Sequence, residues 1–117
     1  MKKKTFCFDL DNTLCVTKGS NYLKSKPKKK LIKLVNELYN NGHTIKIFTA
    51  RYMGRNKDSI YLANKKAYKI TLKQINKWGL KYHKLMISKP SADIYIDDKA
   101  YGYNNNWTKQ FIKYIKK

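Results

Sequence analysis

Two kinds of apolar segment alternate along this chain, and their order limits the fold more than any other feature of the sequence. Short β-prone runs lie at residues 5–9, 44–50, 84–88 and 93–97, and helical periodicity lies at 31–38, 60–78 and 107–115. Strands that alternate with helices are typical of a parallel sheet with helices on both of its faces. We therefore predict an α/β fold, a three-layer Rossmann-like sheet, in a single domain over residues 1–117.

One connection between the predicted strands is unusually short. Only residues 89–92, with the sequence KPSA, separate the third strand from the fourth. Adjacent parallel strands need a crossover of about a dozen residues or more. We therefore expect strands three and four not to be neighbours, and the link to run across one end of the sheet.

The charge of the chain is strongly positive. The net formal charge is +20, from 27 basic and seven acidic residues. Such a field attracts phosphates, nucleotides and nucleic acid. All but two of the basic residues are lysine, so AT-rich coding is an alternative explanation of the excess. Sequence alone leaves both explanations open.

Cysteine usage and hydropathy bear on the cellular compartment of the protein. Cys7 and Cys15 lack the spacing of a zinc site, which favours a reduced protein. Asp9 interrupts the first apolar run, so the basic start is a poor signal peptide, and no run is long enough to span a membrane. We predict a cytoplasmic location and no membrane partner.

Four of the seven acidic residues form two pairs, and each pair follows an apolar strand. They are Asp9 with Asp11, and Asp97 with Asp98. Ligand sites of open α/β sheets lie outside the carboxyl ends of the strands, where these carboxylates would converge. Converging carboxylates repel one another without a cation, and Mg²⁺ prefers such oxygen ligands. The alternative is that Asp9 and Asp97 are helix caps or turn residues.

Two further polar residues close predicted strands. Thr49 ends the second strand and Lys89 ends the third. A neutral donor and a compact positive charge are suited to binding a phosphoryl group. The ordered set of two acids, threonine, lysine and two acids, each at a strand end, therefore predicts phosphate chemistry.

This ordered set resembles the motifs of the haloacid dehalogenase-like (HAD) superfamily of aspartate-nucleophile phosphohydrolases. The matching segments are FDLDNTL (8–14), FTAR (48–51), SKP (88–90) and YIDD (95–98). The stretch from Trp78 to Ala100 also resembles a subgroup of small HAD proteins associated with polysaccharide biosynthesis. The resemblance spans about residues 5–100, nearly the whole chain.

The resemblance implies a role for each motif residue. Asp9 would be the nucleophile that forms an aspartyl-phosphate, and Asp11 would be the general acid and base. Thr49 and Lys89 would bind the phosphoryl oxygens, with Lys84 or Lys99 as alternatives to Lys89. Mg²⁺ would be bound by Asp9, the backbone carbonyl of Asp11, and the pair Asp97 and Asp98.

Two gaps and two arginines bear on the substrate. Residues 14–30 are too few for a cap domain, and residues 51–82 hold one long predicted helix, so we predict a capless site that is open or covered by a neighbouring subunit of a homo-oligomer.

Arg51 and Arg55 are the only arginines and are predicted to contact the substrate, because guanidinium binds phosphate or carboxylate bidentately. The alternative is a local ion pair with Asp58. His43 and His83 are predicted to be surface or turn residues.

Three functions remain in competition. The first is a Mg²⁺-dependent phosphomonoesterase acting on a small metabolite, such as a sugar phosphate or a nucleotide. The second keeps the chemistry and acts on a nucleic-acid end phosphate, which the charge of +20 and a capless site favour. The third is a basic nucleic-acid-binding protein that has retained only the fold.

Overall fold

The protein is described by a computed structural model over residues 2–116. Its strands are β1 (Thr5–Phe8), β2 (Cys15–Val16), β3 (Lys26–Pro27), β4 (Thr44–Phe48) and β5 (Lys84–Met86). Its α-helices are α1 (Lys29–Asn40), α2 (Ile60–Lys77) and α3 (Trp107–Ile115). In the described part of the chain, none of the helices combines the length and apolar character that crossing a membrane requires.

The central sheet is parallel and has the order β1-β4-β5. Ile45 and Ile47 of β4 are fully buried between its two neighbours. All three strands run in the same direction, so their carboxyl ends share one edge. This confirms the prediction of an α/β protein with a parallel sheet, and it places the residues that follow β1, β4 and β5 on one side of the molecule.

Helix α1 buries the face that its periodicity predicts. Leu31, Leu34, Val35 and Leu38 are all buried, and they recur at the spacing of one helical face. The helix ends where Gly42 adopts a φ of 92°, a left-handed conformation that glycine reaches without a steric penalty. The backbone then turns directly into β4.

Helix α2 begins at a side-chain cap and fills the second long gap. The hydroxyl of Ser59 accepts a hydrogen bond from the backbone N–H of Leu62 at 3.3 Å, which satisfies one free donor of the first turn. Ala63, Ala67 and Ile75 are fully buried. The small alanines allow the helix backbone to approach the rest of the core closely.

Helix α3 covers part of β1 through aromatic contacts. Phe111 packs edge-on against Phe6 and Phe8, with ring centroids 5.6 and 6.1 Å apart. Phe6 and Phe8 lie two positions apart, and therefore on the same face of the strand. The predicted helix at 107–115 is confirmed with the same bounds.

The predicted fourth strand at 93–97 is not present in the structure. The segment has no regular structure, and Ile94 and Ile96 are 77% and 96% exposed. Among the described residues the segment has no partner strand, so its β-propensity is not satisfied in this arrangement. Strand β1 is consequently an edge strand among the described residues.

The histidines are structural: His43 is buried directly after the turn at Asn41–Gly42, so of the predicted surface or turn position only the surface part is wrong. His43 is buried, and its Nδ1 accepts a hydrogen bond from the backbone N–H of Lys4 at 3.1 Å. His83 is exposed, and its Nδ1 accepts from Ile45 N–H at 3.0 Å. Both rings therefore satisfy backbone donors at strand starts, away from the carboxyl edge of the sheet. Burial, with the charges of Lys3 and Lys4, lowers the pKa of His43.

Candidate active site

A tight turn after β1 presents the first acid pair. The backbone carbonyl of Leu10 accepts hydrogen bonds from the N–H groups of Thr13 at 3.2 Å and Leu14 at 2.9 Å. Leu10 and Leu14 are fully buried and anchor the turn from beneath. Asn12 takes up the change of direction with a φ of 62°, which asparagine tolerates better than most residues. The turn holds Asp9 and Asp11 at the carboxyl edge of the sheet.

Asp9 lies between a hydroxyl and an ammonium group. Thr13 Oγ1 donates to Asp9 Oδ2 at 3.0 Å, and Lys89 Nζ lies 3.6 Å from Asp9 Oδ1. The backbone N–H of Lys89 donates to the carbonyl of Thr49 at 3.2 Å, which ties the residue to the end of β4. The structure thus brings together Asp9 and Lys89, two of the residues that the sequence singled out. Lys84 instead begins β5, at the opposite end of that strand from Lys89.

Asp11 is held by a guanidinium group from the end of β4. Arg51 Nε lies 3.2 Å from Asp11 Oδ1 and 3.0 Å from Oδ2, and Arg51 Nη2 lies 2.9 Å from Oδ1. Thr17 Oγ1 adds a hydrogen bond of 2.6 Å to Oδ1. The side chain of Arg51 has no exposed surface, and that of Asp11 is 19% exposed. The pair is therefore a nearly buried ion pair with one accessible side.

The remaining N–H groups of Arg51 donate hydrogen bonds to neutral side chains. Its Nη1 donates to Thr71 Oγ1 at 3.2 Å and to Gln74 Oε1 at 2.6 Å, and its Nη2 donates to Ser25 Oγ at 3.2 Å. The ring of Tyr22 covers the guanidinium at 5.0 Å from its centroid. Arg51 thus has no free surface for a substrate, and we correct its predicted role: it binds Asp11 rather than the substrate. The alternative partner, Asp58, instead accepts from Ser91 N–H at 3.0 Å.

Thr49 lies at the end of β4 and is buried. Its Oγ1 accepts a hydrogen bond from the backbone N–H of Arg51 at 3.2 Å. This bond helps to direct the chain after β4 so that Arg51 faces the first motif. The position at the strand end is the one predicted, and the role of Thr49 in binding phosphoryl oxygens stays a prediction.

Arg55 is the arginine that faces solvent. Its guanidinium lies 4.4 Å from the ring centroid of Tyr52 and 5.8 Å from that of Tyr22. Tyr52 has a φ of 63°, and Asn56 Nδ2 supports this conformation by donating to the Tyr52 carbonyl at 2.6 Å. Among residues 2–116, Arg55 forms no ion pair. Tyr22 contacts both guanidinium groups, so its ring links Arg55 to Arg51, the partner of Asp11.

The second acid pair does not join the first. Asp97 Oδ1 accepts a hydrogen bond from Lys99 N–H at 2.8 Å, which is the turn role weighed as an alternative above. Asp97 and Asp98 are both exposed. Within the described range, no three His, Cys, Asp or Glu side chains come close enough to hold a metal ion. The predicted Mg²⁺ ligand set is therefore not assembled in this arrangement.

Several residues around the site were missed from the sequence. Tyr95 places its ring 4.3 Å from Lys89 Nζ and donates a hydrogen bond to the Pro90 carbonyl. Burial, with the charge of Asp9, raises the pKa of Tyr95. Thr17 and Ser25 are buried hydroxyls that hydrogen-bond each other at 2.6 Å. Their signal was weak but present, because they are small polar residues in an otherwise lysine-rich stretch.

Comparison with known proteins supports the fold. No protein-family model and no curated protein matches the sequence. A crystal structure of a structural-genomics target from Vibrio cholerae is similar, with a TM-score of 0.78 and 26% sequence identity. The similarity covers 96% of this chain and 98% of that one. It extends over nearly the full length of both chains and carries no information on activity.

Proposed function

We propose that this protein is a capless phosphomonoesterase of the HAD type, working through an aspartyl-phosphate on a small phosphorylated metabolite. The observation that carries the proposal is the arrangement around Asp9: Lys89 Nζ lies 3.6 Å from one carboxylate oxygen, and a second acid, Asp11, follows two residues later. A nucleophile, a cation for the phosphoryl group and a proton donor are the parts that this chemistry needs.

The contacts of Asp9 divide its two oxygens between two tasks. Oδ2 accepts the Thr13 hydroxyl at 3.0 Å, which fixes the orientation of the carboxylate. Oδ1 faces Lys89, and in this proposal it is the oxygen that attacks phosphorus. Lys89 would then neutralise the charge that spreads over the phosphoryl oxygens in the transition state. Asp11 would give a proton to the leaving oxygen and later take one from the attacking water.

The proposal includes dependence on Mg²⁺, although the described residues do not assemble a site for the metal. We infer that residues 93–97 can add a strand at the free edge of β1, which would complete the sheet of the predicted three-layer fold. Two facts support this arrangement: β1 is an edge strand, and Ile94 and Ile96 are almost fully exposed. Burying each isoleucine is worth about 1.5–3 kcal/mol. Pairing there would bring Asp97 and Asp98 to the carboxyl edge of the sheet.

The test is phosphate release from a panel of sugar phosphates, nucleotides and phosphorylated oligonucleotides, with Mg²⁺ and with EDTA. The control variant is Asp9→Asn, which keeps the size of the side chain and removes the nucleophilic charge. Turnover that requires Asp9 supports the proposal. Folded protein that releases phosphate from no member of the panel contradicts it.

A nucleic-acid end phosphate is the second candidate substrate, and one surface favours it. A cavity of about 480 Å³ lies between the starts of α1 and α3, and four of its eight lining residues are Lys28, Lys29, Lys30 and Lys109. Lys28 Nζ donates to the carbonyl of Asn12 at 3.4 Å, so this basic surface adjoins the turn of the first acid pair. A substrate strand bound there should show steep salt dependence. Binding of a phosphorylated oligonucleotide that is flat between low and moderate salt would exclude it.

A further inference from the structure

The two oxygens of Asp11 have unequal environments. Oδ1 accepts hydrogen bonds from Arg51 Nη2 at 2.9 Å, from Arg51 Nε at 3.2 Å and from Thr17 Oγ1 at 2.6 Å. The thiol of Cys15 lies 3.6 Å from the same oxygen. Among residues 2–116, Oδ2 accepts a hydrogen bond only from Arg51 Nε, at 3.0 Å. A carboxylate oxygen accepts about two hydrogen bonds through its lone pairs. Oδ1 is therefore saturated, and Oδ2 is the oxygen with a lone pair left for a proton.

Arg51 produces this asymmetry because hydrogen bonds to α2 fix the guanidinium on the side away from Asp11. Its Nη1 is bound by Thr71 and Gln74, which lie three residues apart and thus on the same face of α2. Gln74 is itself held, since its Nε2 donates to the Tyr22 carbonyl at 2.6 Å. A rigid planar guanidinium, bound on one side to α2 and on the other to Asp11, can hold the carboxylate in one orientation.

We propose that Arg51 is a positioning residue, which turns Asp11 so that Oδ2 is the atom that carries the proton during catalysis. This inference rests on the proposed phosphatase function and extends it to a residue outside the substrate site. Lysine cannot replace the arginine, because a single ammonium cannot bind both Asp11 oxygens and the two acceptors on α2 at once.

The two chemical steps place different demands on Asp11. In the first, Asp9 Oδ1 bonds to phosphorus, the bond from phosphorus to the leaving oxygen breaks, and Asp11 Oδ2 gives that oxygen its proton. In the second, water attacks phosphorus and gives one proton to Asp11 Oδ2, the bond between phosphorus and Asp9 Oδ1 breaks, and orthophosphate and the free Asp9 carboxylate are formed. A nitrophenolate leaves without a proton, whereas a sugar alkoxide requires one. The second step needs Asp11 with either substrate.

The experiment compares Arg51→Lys with the wild-type protein on p-nitrophenyl phosphate and on an alkyl sugar phosphate by rapid-quench kinetics. We expect the rate of phosphoenzyme formation to fall about 100-fold with the alkyl substrate and less than about 10-fold with the aryl one. Nitrophenol release should then show a burst, because hydrolysis of the intermediate has become slow. The matched control is Ile75→Val, which removes one buried methylene from α2 without removing a hydrogen bond and should affect both substrates alike.

The outcomes separate this inference from the function on which it rests. Equal losses on the two substrates would overturn the positioning role while leaving the phosphatase intact. Wild-type protein that forms no phosphoenzyme with either substrate would contradict the phosphatase itself. If Arg51→Lys does not fold, Gln74→Met decides the question, since it removes the 2.6 Å bond to Nη1 and leaves Arg51 in place. It should give the same substrate-selective loss at smaller size, and an unselective loss counts against the proposal.

Discussion

Removing the Asp11 carboxylate should destabilise the protein far more than removing the Asp9 carboxylate. In Asp11→Ala, the fully buried guanidinium of Arg51 keeps only the neutral acceptors Thr71, Gln74 and Ser25. Breaking one partner of a buried ion pair costs about 3–5 kcal/mol. Asp11 retains 19% exposure, so solvent can replace part of the lost interaction and the low end of this range applies. We expect a loss of about 3 kcal/mol.

The matched variant is Asp9→Ala. Its partner Lys89 lies 3.6 Å away, and the two side chains are 34% and 20% exposed, which is the geometry of a partly solvated ion pair. Such pairs contribute about 0–1 kcal/mol. Both substitutions remove one negative charge from a chain of net charge +20, so the general effect of the positive field is the same in both.

For both variants, urea unfolding measures the free energy of unfolding and thermal unfolding measures the Tm, each followed by circular dichroism. At about 4 °C per kcal/mol for a chain of this size, Asp11→Ala should lower the Tm by roughly 12 °C and Asp9→Ala by less than about 4 °C. A double-mutant cycle of Asp11→Ala with Arg51→Met isolates the pair. Equal losses for the two aspartate variants would refute the argument that the Asp11–Arg51 pair is the buried one.

Three further predictions concern other parts of the molecule. The pKa of His43 is lower in the folded state than in the unfolded chain, because burial disfavours the imidazolium. The contribution of His43 to stability is therefore fully present above about pH 6.5 and is lost as the pH falls below that value. His43→Gln should reduce the difference in the free energy of unfolding between pH 5 and pH 7.5, measured by urea titration. Ile94→Ser and Ile96→Ser should each cost more than about 1 kcal/mol if the segment pairs with β1, and a change within about 0.5 kcal/mol would show that both side chains stay in solvent. Arg55→Gln should raise the KM for substrates with a second anionic group by about tenfold or more at unchanged Tm, and an unchanged KM for every such substrate would remove Arg55 from the substrate site.

Much of the fold followed from periodicity because periodicity reports which face is buried. The spacing of Leu31, Leu34, Val35 and Leu38 predicted α1, and the structure buries all four. The strand predicted at 93–97 is absent from the structure although its local sequence pattern is that of a strand. Its composition is that of a strand, but pairing depends on where the preceding link leaves the chain, and no local pattern encodes that.

The site was predictable where its residues follow strands, and less so where burial decides the role. Asp9 and Lys89 could be placed together because parallel strands deliver their ends to one edge. Arg51 was predicted to contact the substrate because arginine is rare in this chain. Whether a guanidinium faces solvent or a buried carboxylate depends on the packing of α2 and of the loop with Ser25, which the sequence around Arg51 does not reveal.

The central claim is that Asp9 forms a covalent bond to phosphorus, and trapping that intermediate tests it most directly. The protein would be mixed with the best substrate of the panel, quenched in acid within milliseconds and digested for peptide mass spectrometry. We expect one added phosphoryl group on the peptide that contains Asp9, present in the wild-type protein and missing in Asp9→Asn. Turnover without any phosphorylated Asp9 peptide, or with the label on another residue, would contradict it.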